Sequence, residues 1–137
     1  MKKTISIILI LTLLCSCIFS YSLAETRASN YFSLYGTTMS APGSGLIGIT
    51  FKAVGTDICN QIGVATYTVE RQDDNGNWYN VSGALSGQTG SNVASYTFGR
   101  FFQGVAGETY RIQVTFVCVI GSGMEHKSYT SGSITAK

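Results

Sequence analysis

The stretch "AGETYRIQVTFVCV", residues 106–119, decides the fold. From Thr109 onward it alternates, so that in an extended chain Tyr110, Ile112, Val114, Phe116 and Cys118 fall on one face and Thr109, Arg111, Gln113 and Thr115 on the other. A two-residue period held for a full strand length, built from β-branched and aromatic residues, is a half-buried β-strand. Its first set faces a core and its second faces water.

Working outward, the same alternation recurs between clusters of Gly, Ser and Asn, and no helical period interrupts it after the N-terminal segment. Strands are expected over residues 30–41, 45–54, 63–72, 77–83, 92–99, 109–119 and 127–136. Core faces follow by parity: Ile47, Ile49, Phe51 and Ala53 in the second strand, and Ala94, Tyr96 and Phe98 in the fifth. In the third strand the period, extended back through an unbroken strand, puts Cys59 on the side of Ala65, Tyr67 and Val69. Large residues at every second position in several strands predict two sheets packed face to face. The expectation is an all-β protein, a single sandwich of about seven antiparallel strands. Between the third and fourth strands "DDNGNW", residues 73–78, predicts a hairpin turn at Asn75-Gly76, where both residues tolerate positive φ. The one-three-five spacing of Asp73, Asn75 and Asn77 also suggests a calcium loop. The template then fails, with Trp78 where glycine is needed and Ala84 where a bidentate glutamate is needed.

The N-terminus has the order of a secretory signal: Lys2 and Lys3, the apolar run from Ile5 to Leu14, and small residues at Ser22 and Ala24. Cleavage after Ala24 is expected, leaving residues 25–137 as one secreted β-domain. The apolar core is shorter than the roughly 20 residues a spanning helix needs, so no membrane span is expected after cleavage. Lipid attachment at Cys17 in "LLCSC" is the alternative. The chain has nine Lys plus Arg against seven Asp plus Glu, and the excess is Lys2 and Lys3 of the signal. The remainder is formally neutral with its cations spread singly, which gives no ground for nucleic acid as a partner. Cys15 and Cys17 leave with the signal. Cys59 and Cys118 remain as an even pair in an oxidising compartment, which predicts one disulfide. A metal site would lack ligands, since His126 is the single histidine.

"TYTVERQDDNGNWYNV" together with "GVAGETYRIQV" resembles the third strand, hairpin and sixth strand of fibronectin type III-like and immunoglobulin-like sandwiches. The matching positions are Tyr67, Val69, Gly76, Trp78, Gly107, Thr109 and Tyr110. The resemblance implies that Tyr110 is a structural tyrosine corner, its hydroxyl bonding back to the preceding turn. It also implies that the third and sixth strands are antiparallel neighbours, which brings Cys59 beside Cys118. Closing that loop would stabilise the fold by about 4 kcal/mol in the chain-entropy model. Phe51 stands where the family carries a tryptophan, and the cysteine pair is foreign to ordinary members. The whole chain is also similar to short secreted single-domain proteins of clostridial-type Gram-positive bacteria.

No catalytic constellation is legible. The acids Glu25, Asp57, Glu70, Asp73, Asp74, Glu108 and Glu125 fall in turns or on outward positions, and no Gly-x-Ser-x-Gly or phosphate-cradling loop occurs. No enzyme activity and no cofactor are expected. His126 reads as a polar loop or edge residue. A binding role is expected instead, as a protein-interaction or adhesion module whose partner is an extracellular protein, with a carbohydrate-binding module as the alternative. The candidate ligand-binding aromatics are Trp78, Tyr79, Phe101 and Phe102; an exposed Trp78 beside Tyr79 would form a flat platform for a sugar. The first strand, free of charged residues, is a candidate for self-association through its edge.

Overall fold

The computed structural model describes residues 29–137; the signal segment, its cleavage site and Cys17 lie outside the described residues. The chain forms β1 (Phe32–Gly43), β2 (Leu46–Cys59), β3 (Gln61–Gln72), β4 (Trp78–Asn80), β5 (Leu85–Ser86), β6 (Thr89–Gly90), β7 (Val93–Gln103), β8 (Thr109–Ile120), β9 (Gly123–Thr130) and β10 (Ile134–Thr135). They build two antiparallel sheets. The smaller has the order β1-β2-β7; in the larger, β3 and β8 are central, with β4, β5 and β6 along the free side of β3 and β9 and β10 along that of β8. No helix among the described residues is long and apolar enough to cross a membrane.

Strand β8 adopts the parity its sequence predicts. Tyr110, Ile112, Val114, Phe116 and Cys118 are buried in the core that the two sheets share, opposite Ile47, Ile49, Phe51 and Ala53 of β2. Phe51 stacks on Phe98 of β7 at 4.8 Å and meets Tyr67 of β3 at 4.9 Å, so one ring ties the two sheets together.

Strand β3 does not keep a single parity. Opposite β8 it pairs Val64 with Phe116 but Thr66 with Thr115, so Ala65 is an extra, bulged residue. Before the bulge Ile62 and Val64 point inward; after it Tyr67 and Val69 do. Ala65 is therefore only half-buried. Cys59 does not begin β3, as an unbroken strand would require. It ends β2, and at Asn60 the chain crosses to the other sheet. Ala94 is exposed rather than in the core, because β2 bulges away over residues 55–58 and leaves it without a cross-strand partner.

The remaining differences are of division. The fourth expected strand shrinks to Trp78–Asn80, since the Asn80 side chain accepts from the amides of Ser82 (3.0 Å) and Gly83 (2.8 Å) and turns the chain. The last splits into β9 and β10 at Ser131, whose hydroxyl bonds Ile112 N at 2.8 Å in place of a ladder bond. In the 73–77 hairpin only Gly76 has positive φ, at 85°. The Asp73 carboxylate holds this turn, accepting from Asn77 N (2.7 Å), Asn75 N (2.9 Å) and Asn77 Nδ2 (3.2 Å). Those bonds, the Asn77 amide first, hold the Asp73 pKa below its ordinary value.

Candidate functional site

The two ends of the core are each closed by a residue of β8. At one end the Tyr110 hydroxyl accepts from Val105 N at 2.9 Å. Gly104 makes room for the ring, since a Cβ there would stand 2.9 Å from it. At the other end Cys59 and Cys118 meet, both fully buried, with Cys118 opposite Ile62 in the ladder. They are two free thiols rather than the expected disulfide: the sulfurs are 3.0 Å apart and the Cys118 thiol donates to Cys59. Burial, and then the neighbouring Cys59 thiol, push the Cys118 pKa up to about 12. Gly55 is required here, because a Cβ at that position would collide with the Cys59 sulfur.

The aromatic candidates gather at the Tyr110 end without forming one platform. Trp78 and Tyr79 are consecutive strand residues and point to opposite faces of the larger sheet. Trp78 is half-buried, with the Arg111 guanidinium 4.4 Å from its ring centroid. Tyr79 lies under Arg71, 5.0 Å from its ring, and its hydroxyl accepts from Arg71 Nε. Phe102 packs inward on Tyr110 with ring centroids 5.8 Å apart. Phe101 points the other way, 73 % exposed, over Gly48 on the solvent face of the smaller sheet. Strand alternation distributes these rings around three sides of the molecule.

Strand β1 pairs with β2 alone. Its other side is closed by side chains: Tyr35 meets Tyr129 at 6.4 Å, Ser131 reaches Met39, and the Tyr31 ring occupies the space that Gly123 leaves open. Glu125 locks the start of the strand, accepting from Ser29 Oγ (2.6 Å) and Tyr31 N (3.1 Å) while pairing with Lys127 (2.8 Å). Burial on its own would raise the Glu125 pKa, but the bonds from Lys127, Ser29 and Tyr31 outweigh it and hold the pKa below its ordinary value.

The most developed surface is the solvent face of the larger sheet. Ladder register places its side chains in rows across β3, β8 and β9: Thr66, Thr115 and Ser128 in one, and Thr68, Gln113 and Thr130 in the next. These residues line a depression of about 190 Å³. Along the same strands follows a groove of about 360 Å³, floored by Val64, Ala65 and Val117 and rimmed by Gln61, Gln88 and Thr89 on one side and Met124 and His126 on the other. The bulge at Ala65 and two glycines create this groove. Gly63, at φ 150°, lies against Gln88, and Gly87 lies so close to Val64 that any Cβ would strike its carbonyl oxygen. The segment 85–90 can therefore press onto β3 and rise as a wall beside Val117, which is 5 % exposed although it faces solvent by parity. At the opposite end of the face Glu70 accepts from Arg111 Nε (2.6 Å) and Gln113 Nε2 (2.8 Å), and Trp78 stands beside Arg111.

Local parity makes Thr109, Arg111, Gln113 and Thr115 an outward set, but nothing local joins them to Thr66 or Ser128, because register is a non-local property. His126, expected as a polar loop or edge residue, lies on the edge strand β9 opposite Val117.

Fold and surface together define an all-β protein of two facing antiparallel sheets with a polar furrow on the larger one. No family model matches the chain, and no curated protein matches it. Among solved structures it is similar to a protein from Archaeoglobus fulgidus, with a TM-score of 0.41 and 14 % identity, over 77 % of this chain and 98 % of that one.

Proposed function

We propose that this chain is a non-catalytic adhesion module of the cell exterior, a fibronectin type III-like or immunoglobulin-like sandwich that holds an extracellular partner against the solvent face of its larger sheet. The observation that carries the reading is the furrow along β8. The hydroxyls of Thr66, Thr68, Thr115, Ser128 and Thr130 have no hydrogen-bond partner among the described residues, and they adjoin a groove with an apolar floor and polar rims. A sheet face this rich in unengaged donors and acceptors, beside a concavity, has the make-up of a binding surface. The strand order β1-β2-β7 facing β4-β3-β8-β9 supports the sandwich assignment.

Retention on bacterial envelope preparations and on cultured cells tests the proposal. The protein should be retained on one of these surfaces, and Thr115→Arg, which fills the middle of the furrow, should abolish retention without changing the far-UV spectrum. Equal retention of the variant would sink the reading.

An exterior location also fits the thiols. Sulfurs 3.0 Å apart need to approach by about 1 Å to bond. In an oxidising compartment, exchange with an oxidised disulfide carrier would join Cys59 to Cys118, reducing the carrier to its dithiol. Intact mass and alkylation of the exported protein report the outcome: two labelled thiols would count against both the bond and the compartment.

A further inference from the structure

We infer that the furrow's ligand is a neutral, unbranched oligosaccharide lying along β8. This rests on the adhesion reading and names the chemistry of its partner.

Three observations lead there. The furrow offers no net charge. On this face Glu70 and Arg111 hold each other at 2.6 Å and the single imidazole of His126 stands on the groove rim, while the charged residues of β9, Glu125 and Lys127, alternate to the other side and pair there. Apart from the His126 imidazole, a charged ligand would meet no unpaired charge on the face among the described residues.

The groups that remain are hydroxyls and amides. A hydroxyl both donates and accepts, and so does a sugar hydroxyl, so Thr66, Thr115 and Ser128 in one row and Thr68 and Thr130 in the next match a polyol at every position. Val117 and the bulged Ala65 supply an apolar floor of the kind the C–H face of a pyranose ring covers.

The backbone disfavours a peptide. Strand addition needs a free edge with unpaired main-chain groups, whereas β3 and β8 are interior strands bonded on both sides; β9 pairs with β8 alone, but a strand added to its outer edge would lie beside the furrow and not along β8. What the furrow presents is side chains on a surface about 10 Å across three strands and about 20 Å from Arg111 to Val117. That is room for a short oligosaccharide in an extended conformation.

The test is titration of the full chain with linear neutral tetrasaccharides, cellotetraose, maltotetraose and tetra-N-acetylchitotetraose, followed by calorimetry and by amide chemical shifts. One of them should bind saturably and shift the amides of Thr66, Thr115 and Ser128. The double substitution Thr115→Val with Ser128→Ala should weaken it about tenfold by removing two hydroxyl contacts, with the melting temperature unchanged. The pair Thr38→Val and Thr50→Val on the smaller sheet should leave it unaltered. In parallel, target surfaces are treated with periodate, which cleaves vicinal diols, or with protease. Retention lost to periodate and spared by protease supports the inference. Retention lost to protease and spared by periodate, with no tetrasaccharide bound, overturns the glycan while leaving the adhesion module standing. No retention on any surface removes both, and sugar binding indifferent to the Thr115/Ser128 pair overturns the site.

Discussion

The two solvent faces of this protein are made from similar residues and come out different. On the smaller sheet the outward rows are Ser40, Gly48 and Phe101, then Thr38, Thr50 and Gly99, then Gly36, Lys52 and Thr97, in regular register from Ser40 to Leu34. The surface stays flat, and its one large apolar feature is the Phe101 ring lying across Gly48. On the larger sheet the rows of threonine and serine give way to a groove, because β3 carries one residue too many and the 85–90 segment presses onto it through Gly87. Threonine and glycine do not make a site by themselves. The smaller sheet's breaks fall at its ends, between Phe32 and Leu34, Ser40 and Gly43, and Val54 and Cys59, whereas the break in β3 falls mid-strand beside the 85–90 segment and gives that face its relief.

The largest effect should come from the bond that would join the sheets. Oxidation of Cys59 and Cys118 links the end of β2 to the end of β8, and the oxidised protein should be more stable than the reduced one by about 4 kcal/mol in the chain-entropy model. Denaturant midpoints with and without reductant measure it. An equal midpoint in both states would mean that the two sheets are already held as firmly without the bond.

Next, glycine should matter unequally on the two faces. Gly87→Val forces a side chain into the Val64 carbonyl and should cost about 2 to 3 kcal/mol and remove the groove wall. At Gly99 a new Cβ would lie 3.7 Å from Ile49 O, an ordinary contact, so Gly99→Val should be neutral or slightly stabilising, within about 0.5 kcal/mol. If both substitutions cost the same, the contrast between the faces is wrong.

A smaller effect belongs to pH. Glu125 joins β9 of the larger sheet to the start of β1 in the smaller one, and its folded pKa is depressed. Its contribution is present above the ordinary carboxylate pKa of about 4.3 and is lost as pH falls through that value to the folded one. The melting temperature should therefore decline on acidification, with earlier amide exchange at Tyr31 and Phe32. Glu125→Gln should flatten that decline, and an unchanged slope would remove Glu125 from the account.

The smallest effect is expected at Phe101. It is 73 % exposed on the flat face, so Phe101→Ser should change stability by no more than about 0.5 kcal/mol and leave retention on target surfaces intact. Lost retention would move the binding surface to the smaller sheet.

Much of the scaffold was legible in the chain. The alternation in residues 109–119 marks the faces of β8, and Ile47 to Ala53 marks those of β2, because side chains on a strand alternate by a local steric rule. Less was legible in β3, where the inward set changes from even to odd positions at Ala65 and only the partner strand reveals which residue is extra. The aromatic candidates share only a residue type, and alternation separates them: Trp78 from Tyr79 and Phe101 from Phe102.

The sequence by itself determined that the chain is all-β, which side of its main strands is apolar, and where its turns fall, since period, β-branching and turn chemistry act over a few residues. Only the tertiary structure decided that Cys59 ends β2, that Ala65 bulges, and that threonines from β3 and β8 align with Ser128 of β9 above a groove walled by residues 87–89. Those facts depend on which residue stands opposite which across the ladders, and that is set when both sheets bury their apolar faces at once.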